Sequence, residues 1–120
     1  KCDTLNINAT SKDNTFMPSA INLMKEHYAD SDYNLERFIR DMGYSKTLVN
    51  QKLQSLTGQS IGQFMRNYRI NEAKDTLTKV ECDISVAEIA YAVGFNDPKY
   101  FTKCFKELFG VLPSEYIGKK

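Results

Sequence analysis

The chain has almost none of the residues from which metal centres and nucleophilic active sites are built. Its single histidine, His27, stands on an acid-rich segment, and its three cysteines, Cys2, Cys82 and Cys104, are far apart. No pair falls at zinc-ligand spacing, and an odd, scattered set gives no disulfide framework. Cys104 lies among apolar helical positions, where a thiol behaves as a small hydrophobe. There is no glycine-rich phosphate loop, no serine or cysteine beside a histidine base, and no carboxylate cluster. The groups for nucleophilic and acid–base catalysis are therefore missing, and the reading is of a non-enzymatic domain with no metal or cofactor. Long apolar runs are missing too, since nothing approaches the ~20 residues of a bilayer span. With the cysteine usage, this leads to the expectation of a cytosolic setting and no membrane contact by the domain. Charge of one sign is also lacking: 16 basic residues stand against 15 acidic, for a net +1. Composition gives no argument for a polyanionic partner, so any such argument must rest on where the charges sit.

What is present is helical periodicity. The 120 residues, 42% of them apolar, suit one globular domain. Residues 1–15 are polar and read as a linker, with the domain at 16–118. Pro18 near a helix start precedes Ile21, Leu23, Met24 and Tyr28. Asn34 can cap a second helix with Leu35, Phe38, Ile39 and Met42 on one face, and Gly43 stops it. Ser45 caps a third helix expected to bury Leu48, Val49, Leu53 and Leu56, ending at Gly58. Ser60 and Gln63 form a capping box for a long helix to Lys79, whose apolar stripe is wide enough to touch two neighbours. Ser85 and Glu88 repeat the box, with Ile84 and Ile89 placed as a hydrophobic staple. Asn96 or Asp97 then caps a helix opened by Pro98, with Phe101, Cys104, Phe105 and Leu108 on one face before Gly110. Pro113 starts a short last helix in which Tyr116 and Ile117 can pack. The fold class is all-α, with about seven helices.

The pattern is duplicated. The segment Leu35 to Tyr44 matches Val86 to Phe95 at its inward apolar positions, and each is followed by a capped amphipathic helix ending in glycine. A short helix, a turn of glycine and an aromatic, and a second helix is the layout of a helix-turn-helix. Two such units, at 34–58 and 85–110, flank one connecting helix at 60–79. An ordinary helical bundle would explain one such pair; the repeat argues against it.

In a helix-turn-helix the second helix keeps one face on the core and offers the other to base edges. The first unit offers Lys46, Thr47, Asn50, Gln51 and Gln54, and the second offers Lys99, Thr102, Lys103 and Lys106 at the same spacing. Asn and Gln can bond the N6/N7 edge of adenine, and Lys can reach guanine O6/N7 or a phosphate. From Asn34 to Lys79 eight basic residues stand against four acidic. Arg40, Lys46, Lys52, Arg66 and Arg69, with Lys106 in the second unit, are the candidates for phosphate contact. The competing function is a helical module that docks RNA polymerase or a partner regulator through the same faces.

The residues resemble the DNA-binding domain of the arabinose-regulator (AraC/XylS) family of bacterial transcription factors. The likeness runs from about Phe16 to Ile117. It is strongest from Ile89-Ala90 through Val93-Gly94-Phe95-Asn96-Asp97-Pro98-Lys99-Tyr100-Phe101 to Gly110, and again at Pro113-Ser114-Glu115-Tyr116; Gly43-Tyr44-Ser45-Lys46 with Thr57-Gly58 is a looser match. The resemblance implies one chain that sets two recognition helices in successive major grooves of double-stranded DNA. On it, base-reading falls to Thr47, Asn50 and Gln51 and to Lys99, Thr102 and Lys103. The family often carries an aromatic or Arg where Thr47 and Gln51 stand, so the first unit here has smaller readers. The likeness extends to members fused behind two-component hybrid sensors. It implies an activator domain that contacts RNA polymerase, either at the output end of a membrane-anchored sensor with a histidine kinase and an N-terminal sensory or receiver domain elsewhere in the protein, or in a free-standing regulator behind a sugar-binding N-terminal domain; the residues do not decide between the two.

Overall fold

Seven helices and no strand make up the described residues of the computed structural model, which are 7–79 and 85–117, with side chains described over 15–79 and 85–116. In chain order the helices are α1 (Ile7–His27), α2 (Leu35–Met42), α3 (Lys46–Thr57), α4 (Ile61–Lys79), α5 (Val86–Ala92), α6 (Pro98–Phe109) and α7 (Pro113–Ile117). Among these residues no helix is long and apolar enough to cross a membrane.

Local chemistry sets most helix ends. The Asn34 side chain accepts the Arg37 N–H at 2.9 Å and Ser45 Oγ accepts the Leu48 N–H at 3.2 Å. Ser60 with Gln63 and Ser85 with Glu88 close reciprocal boxes, each hydroxyl accepting one amide and each longer side chain accepting the other. Of the two candidates before Pro98 it is Asp97 that caps α6, accepting the Lys99 N–H. Each such cap contributes about 1 kcal/mol. The expected Ile84–Ile89 staple and the packing of Ile117 lie outside the described residues.

The first helix differs from its expected form. It begins at Ile7, so Pro18 lies inside it and residues 7–15 of the supposed linker are helical. A proline deletes one N–H and crowds the preceding turn, yet a helix can continue past it with a bend. Here Phe16, upstream of Pro18, is buried in the core and tilts against Tyr44, which holds the preceding turn in place.

There are two cores rather than one. Phe16, Met24, Tyr33, Phe38, Val49 and Leu53 pack with Ile61, Phe64 and Met65 from the start of α4. Ile89, Val93, Phe95, Phe101, Cys104 and Phe105 pack with Ile70, Ala73 and Leu77 from its second half. At about 100° per residue, the first α4 set and the second lie on nearly opposite sides of the helix. The wide apolar stripe is thus two narrow stripes in succession, each facing its own unit. In the second core Phe95 meets Phe101 edge-on at 5.2 Å and Phe105 meets Phe109 at 4.9 Å, contacts that add to area burial. In the first, buried Tyr33 donates its O–H to Asp41 at 2.9 Å; burial, then the Asp41 carboxylate, raises its pKa and keeps the phenol neutral. Three residues on expected inward faces are exposed instead: Leu48, Leu56 and Leu108. Leu48 sits on the flank of α3, and Leu56 and Leu108 occupy the last turns of α3 and α6, near the ends of those helices.

The two units touch at one tight point. Gly94, in the turn between α5 and α6, has φ +95°, and a Cβ placed there would lie 2.1 Å from the Tyr28 carbonyl oxygen and 2.8 Å from Arg69 Nε. Gly110 also has positive φ but opens on empty space. Gly110→Ala is therefore expected to cost about 1 kcal/mol, from backbone strain alone. Gly94→Ala should cost about 3 kcal/mol or more, because the added methyl strikes backbone that cannot yield. Urea unfolding of both variants checks this, and equal losses would remove the contact's claimed importance.

Candidate nucleic-acid interface

The α3 and α6 faces come from the same construction twice. Thr47, Asn50, Gln51 and Gln54 stand where Lys99, Thr102, Lys103 and Lys106 stand, and inward Val49 and Leu53 stand where Phe101 and Phe105 stand. Val49, Leu53, Phe101 and Phe105 are all fully buried, which fixes each helix's rotation and sends the other set outward. Lys46, Thr47, Gln51 and Gln54 are exposed and Asn50 is half-buried; Lys99, Lys103 and Lys106 are exposed and Thr102 is half-buried. Among the described residues no other protein group engages any of these outward side chains by a hydrogen bond or ion pair, so their donors and acceptors are free for a ligand. Counted from the matched glycine, the run into α6 is one residue longer than the run into α3: Gly94-Phe95-Asn96-Asp97 against Gly43-Tyr44-Ser45. The second unit enters α6 through Asp97 and Pro98, a stiffer start than Ser45 gives α3.

The expected phosphate contacts divide. Arg40 is exposed in the last turn of α2, Lys46 opens α3, and Lys106 continues the α6 face. Arg66 is half-buried, with Nη1 donating to the exposed Tyr100 hydroxyl at 3.3 Å. Lys52 is not on the reading face. It lies about 140° around α3 from Thr47, with Nζ 5.8 Å from the centre of the Phe16 ring.

Arg69 is a correction. Its Nε donates to the Tyr28 carbonyl at 2.9 Å, and Nη2 donates to the carbonyls of Asp30 and Tyr33, both at 3.0 Å. The guanidinium is committed to the α1–α2 loop; burial lowers its pKa and the Asp30 carboxylate opposes that shift. It is a structural clasp rather than a free phosphate contact.

Tyr100 was not singled out in the sequence, though the repeat marks it. It stands where Leu48 stands in the first unit, and both are exposed, on the flanks of α6 and α3.

Arg69→Ala should lower stability by roughly 3 kcal/mol, because the part-buried carbonyls of Tyr28 and Tyr33 and the exposed one of Asp30 lose a charged donor at once. Arg69→Lys should restore little of it, since an ammonium cannot fork across three acceptors. Denaturant unfolding separates these outcomes, and a lysine variant as stable as the parent would mean that charge alone suffices.

Comparison with known proteins agrees with this geometry. A family model described as a helix-turn-helix domain matches residues 38–119. "Histidine kinase P4" of Formosa agariphila is 29% identical over 94% of this chain and 8% of its own length. The "HTH-type transcriptional activator Btr" of Bacillus subtilis is 32% identical over 93% of this chain and 21% of its own. This chain spans between 8% and 33% of the first curated relatives it matches. Among solved structures, the DNA-binding domain of AdpA in complex with a target DNA superimposes with a TM-score of 0.75 at 23% identity, over 87% of this chain and 91% of that one, a likeness of fold. Two helix-turn-helix units on one connecting helix, matched over most of their length by that family model, make this chain a member of the AraC-type helix-turn-helix family, a transcription regulator's DNA-binding domain.

Proposed function

We propose that the domain binds a specific double-stranded DNA sequence by seating α3 and α6 in successive major grooves on one side of the duplex, and that it activates transcription as the output end of a signal-sensing protein. One observation carries this reading: two outward faces of free polar side chains, at equivalent positions of a repeat, borne on helices rooted in separate cores and joined by α4. The 19 residues of α4 span about 28 Å at 1.5 Å each, comparable to the ~34 Å between major-groove openings on one face of the duplex.

Base-reading falls to Thr47, Asn50 and Gln51 on α3 and to Lys99, Thr102 and Lys103 on α6, with Arg40, Lys46, Arg66 and Lys106 against phosphates. The amide-rich first face suits adenine and the lysine-rich second face suits guanine, so the half-sites should be unlike and form no palindrome under one protomer. The likeness to a histidine kinase, of which this chain spans 8%, supports a sensory or receiver region elsewhere in the same protein, and the likeness to a named activator supports activation.

Selection from a random duplex pool gives the operator, and two variants then test the arrangement. Lys103→Ala is expected to relax preference within one half-site, by about 1–3 kcal/mol for a bidentate contact. A uniform loss on every sequence would make Lys103 a phosphate contact. Inserting about five base pairs between the half-sites turns one groove to the opposite side of the duplex and should abolish two-unit binding. Footprints indifferent to that spacing would leave α6 as the sole reader.

A further inference from the structure

Two concave surfaces meet at the start of α4. One lies under the α3 face, bounded by Lys46, Thr47, Asn50 and Gln51 and floored by Leu35, Ser60 and Gly62. The other runs between the two units, from Leu35, Ser60 and Gly62 past Gln63 and Arg66 to Asn96 and Tyr100. Because Leu35, Ser60 and Gly62 belong to both, the surfaces form one continuous trough from the first reading face to the opening of α6.

Gly62 stands on the floor of this trough and has no internal reason to be glycine. Its φ is not in the left-handed region, and a Cβ there would meet nothing nearer than Leu35 Cδ1 at 4.0 Å. Glycine weakens a helix relative to alanine, so the protein forgoes stability at this position. At Gly94, by contrast, both the backbone angle and the packing demand glycine. What a glycine offers at an exposed position with ordinary backbone is close approach from outside.

The trough's walls indicate what approaches. The Arg66 guanidinium projects there beside the Tyr100 hydroxyl, and among the described residues no carboxylate pairs with it. Ser60 Oγ and Gln63 Oε1 serve as cap acceptors, which leaves the Ser60 O–H and the Gln63 NH₂ as donors. The acid on the rim, Asp97, is turned to the Lys99 amide. A donor-lined channel that joins two DNA-reading faces and narrows over a bare backbone fits a sugar-phosphate strand.

We infer that the DNA backbone between the two half-sites lies in this trough, with Gly62 at the point of closest approach and Arg66 and Tyr100 as its lateral contacts. The inference rests on the two-groove reading above. Gly62→Ala should melt at or above the parent temperature yet bind operator and unrelated duplex about tenfold more weakly, by one common factor. Arg66→Gln should reduce the slope of log affinity against log salt by about one. Replacing the spacer phosphates by methylphosphonates should weaken the parent and leave Gly62→Ala with little more to lose. A Gly62→Ala domain that binds as tightly as the parent overturns the trough while leaving two-groove binding standing. So does one that loses stability, or one whose loss is confined to a single half-site. A parent that binds no duplex overturns both.

Discussion

The clasp of Arg69 is the constraint on which the arrangement of the two units depends. A guanidinium presents five donors in a planar fork, and here that fork joins α4 to three carbonyls of the α1–α2 loop. The same Nε lies beside Gly94, so the turn of the second unit seats against the first unit's loop only because Gly94 has no side chain. One side chain on the connecting helix thereby indexes both units. Such charge-assisted bonds, two part-buried and one exposed, together contribute about 3 kcal/mol, and they are directional, which apolar packing is not. The cores supply cohesion, while the clasp supplies the relative angle at which the two reading helices are held.

Division of the core has a consequence for how force passes between the units. The start of α4 belongs to the first core and its second half to the other, on nearly opposite sides of the helix. A helix loaded in this way is a lever, and rotation of one core about α4 would carry α3 or α6 with it. Tyr28 packs against both cores, beside the carbonyl that Arg69 holds. Resistance to that rotation is concentrated in a few residues near the middle of α4 instead of being spread over a shared interior.

Features that depend on neighbours in sequence were legible before the structure. Caps at Asn34, Ser45, Ser60 and Ser85 are three-residue events, and each was readable from side-chain type and spacing. The outward faces of α3 and α6 were legible because periodicity fixes which side of a helix is apolar, and the repeat fixed the register twice. What escaped depends on distant partners. The Arg69 acceptors lie 36 to 41 residues away, so an arginine on a polar helix flank looked like any phosphate contact. Leu56 and Leu108 were placed inside by periodicity, yet they sit in the last turns of their helices and are 48% and 40% exposed. Gly62 and Gly94 are alike in a sequence; only the space around a missing methyl distinguishes them.

The two outward faces also differ in charge, and under the proposed function they would divide the work of recognition unequally. Lysines at 99, 103 and 106 bring three charges to α6, whereas the outward positions of α3 after Lys46 carry only hydroxyl and amide groups. Counterion release scales with the number of phosphates neutralised, so on the proposed two-groove reading the second unit would supply the larger salt-dependent share of affinity. On that reading the first unit, with shorter neutral side chains, would add discrimination with little charge of its own and gain affinity mainly by being held in place. Its contribution is then set by how rigidly the second unit presents it, which returns the burden to the Arg69 and Gly94 contact: loosening that joint would cost the first half-site far more than the second.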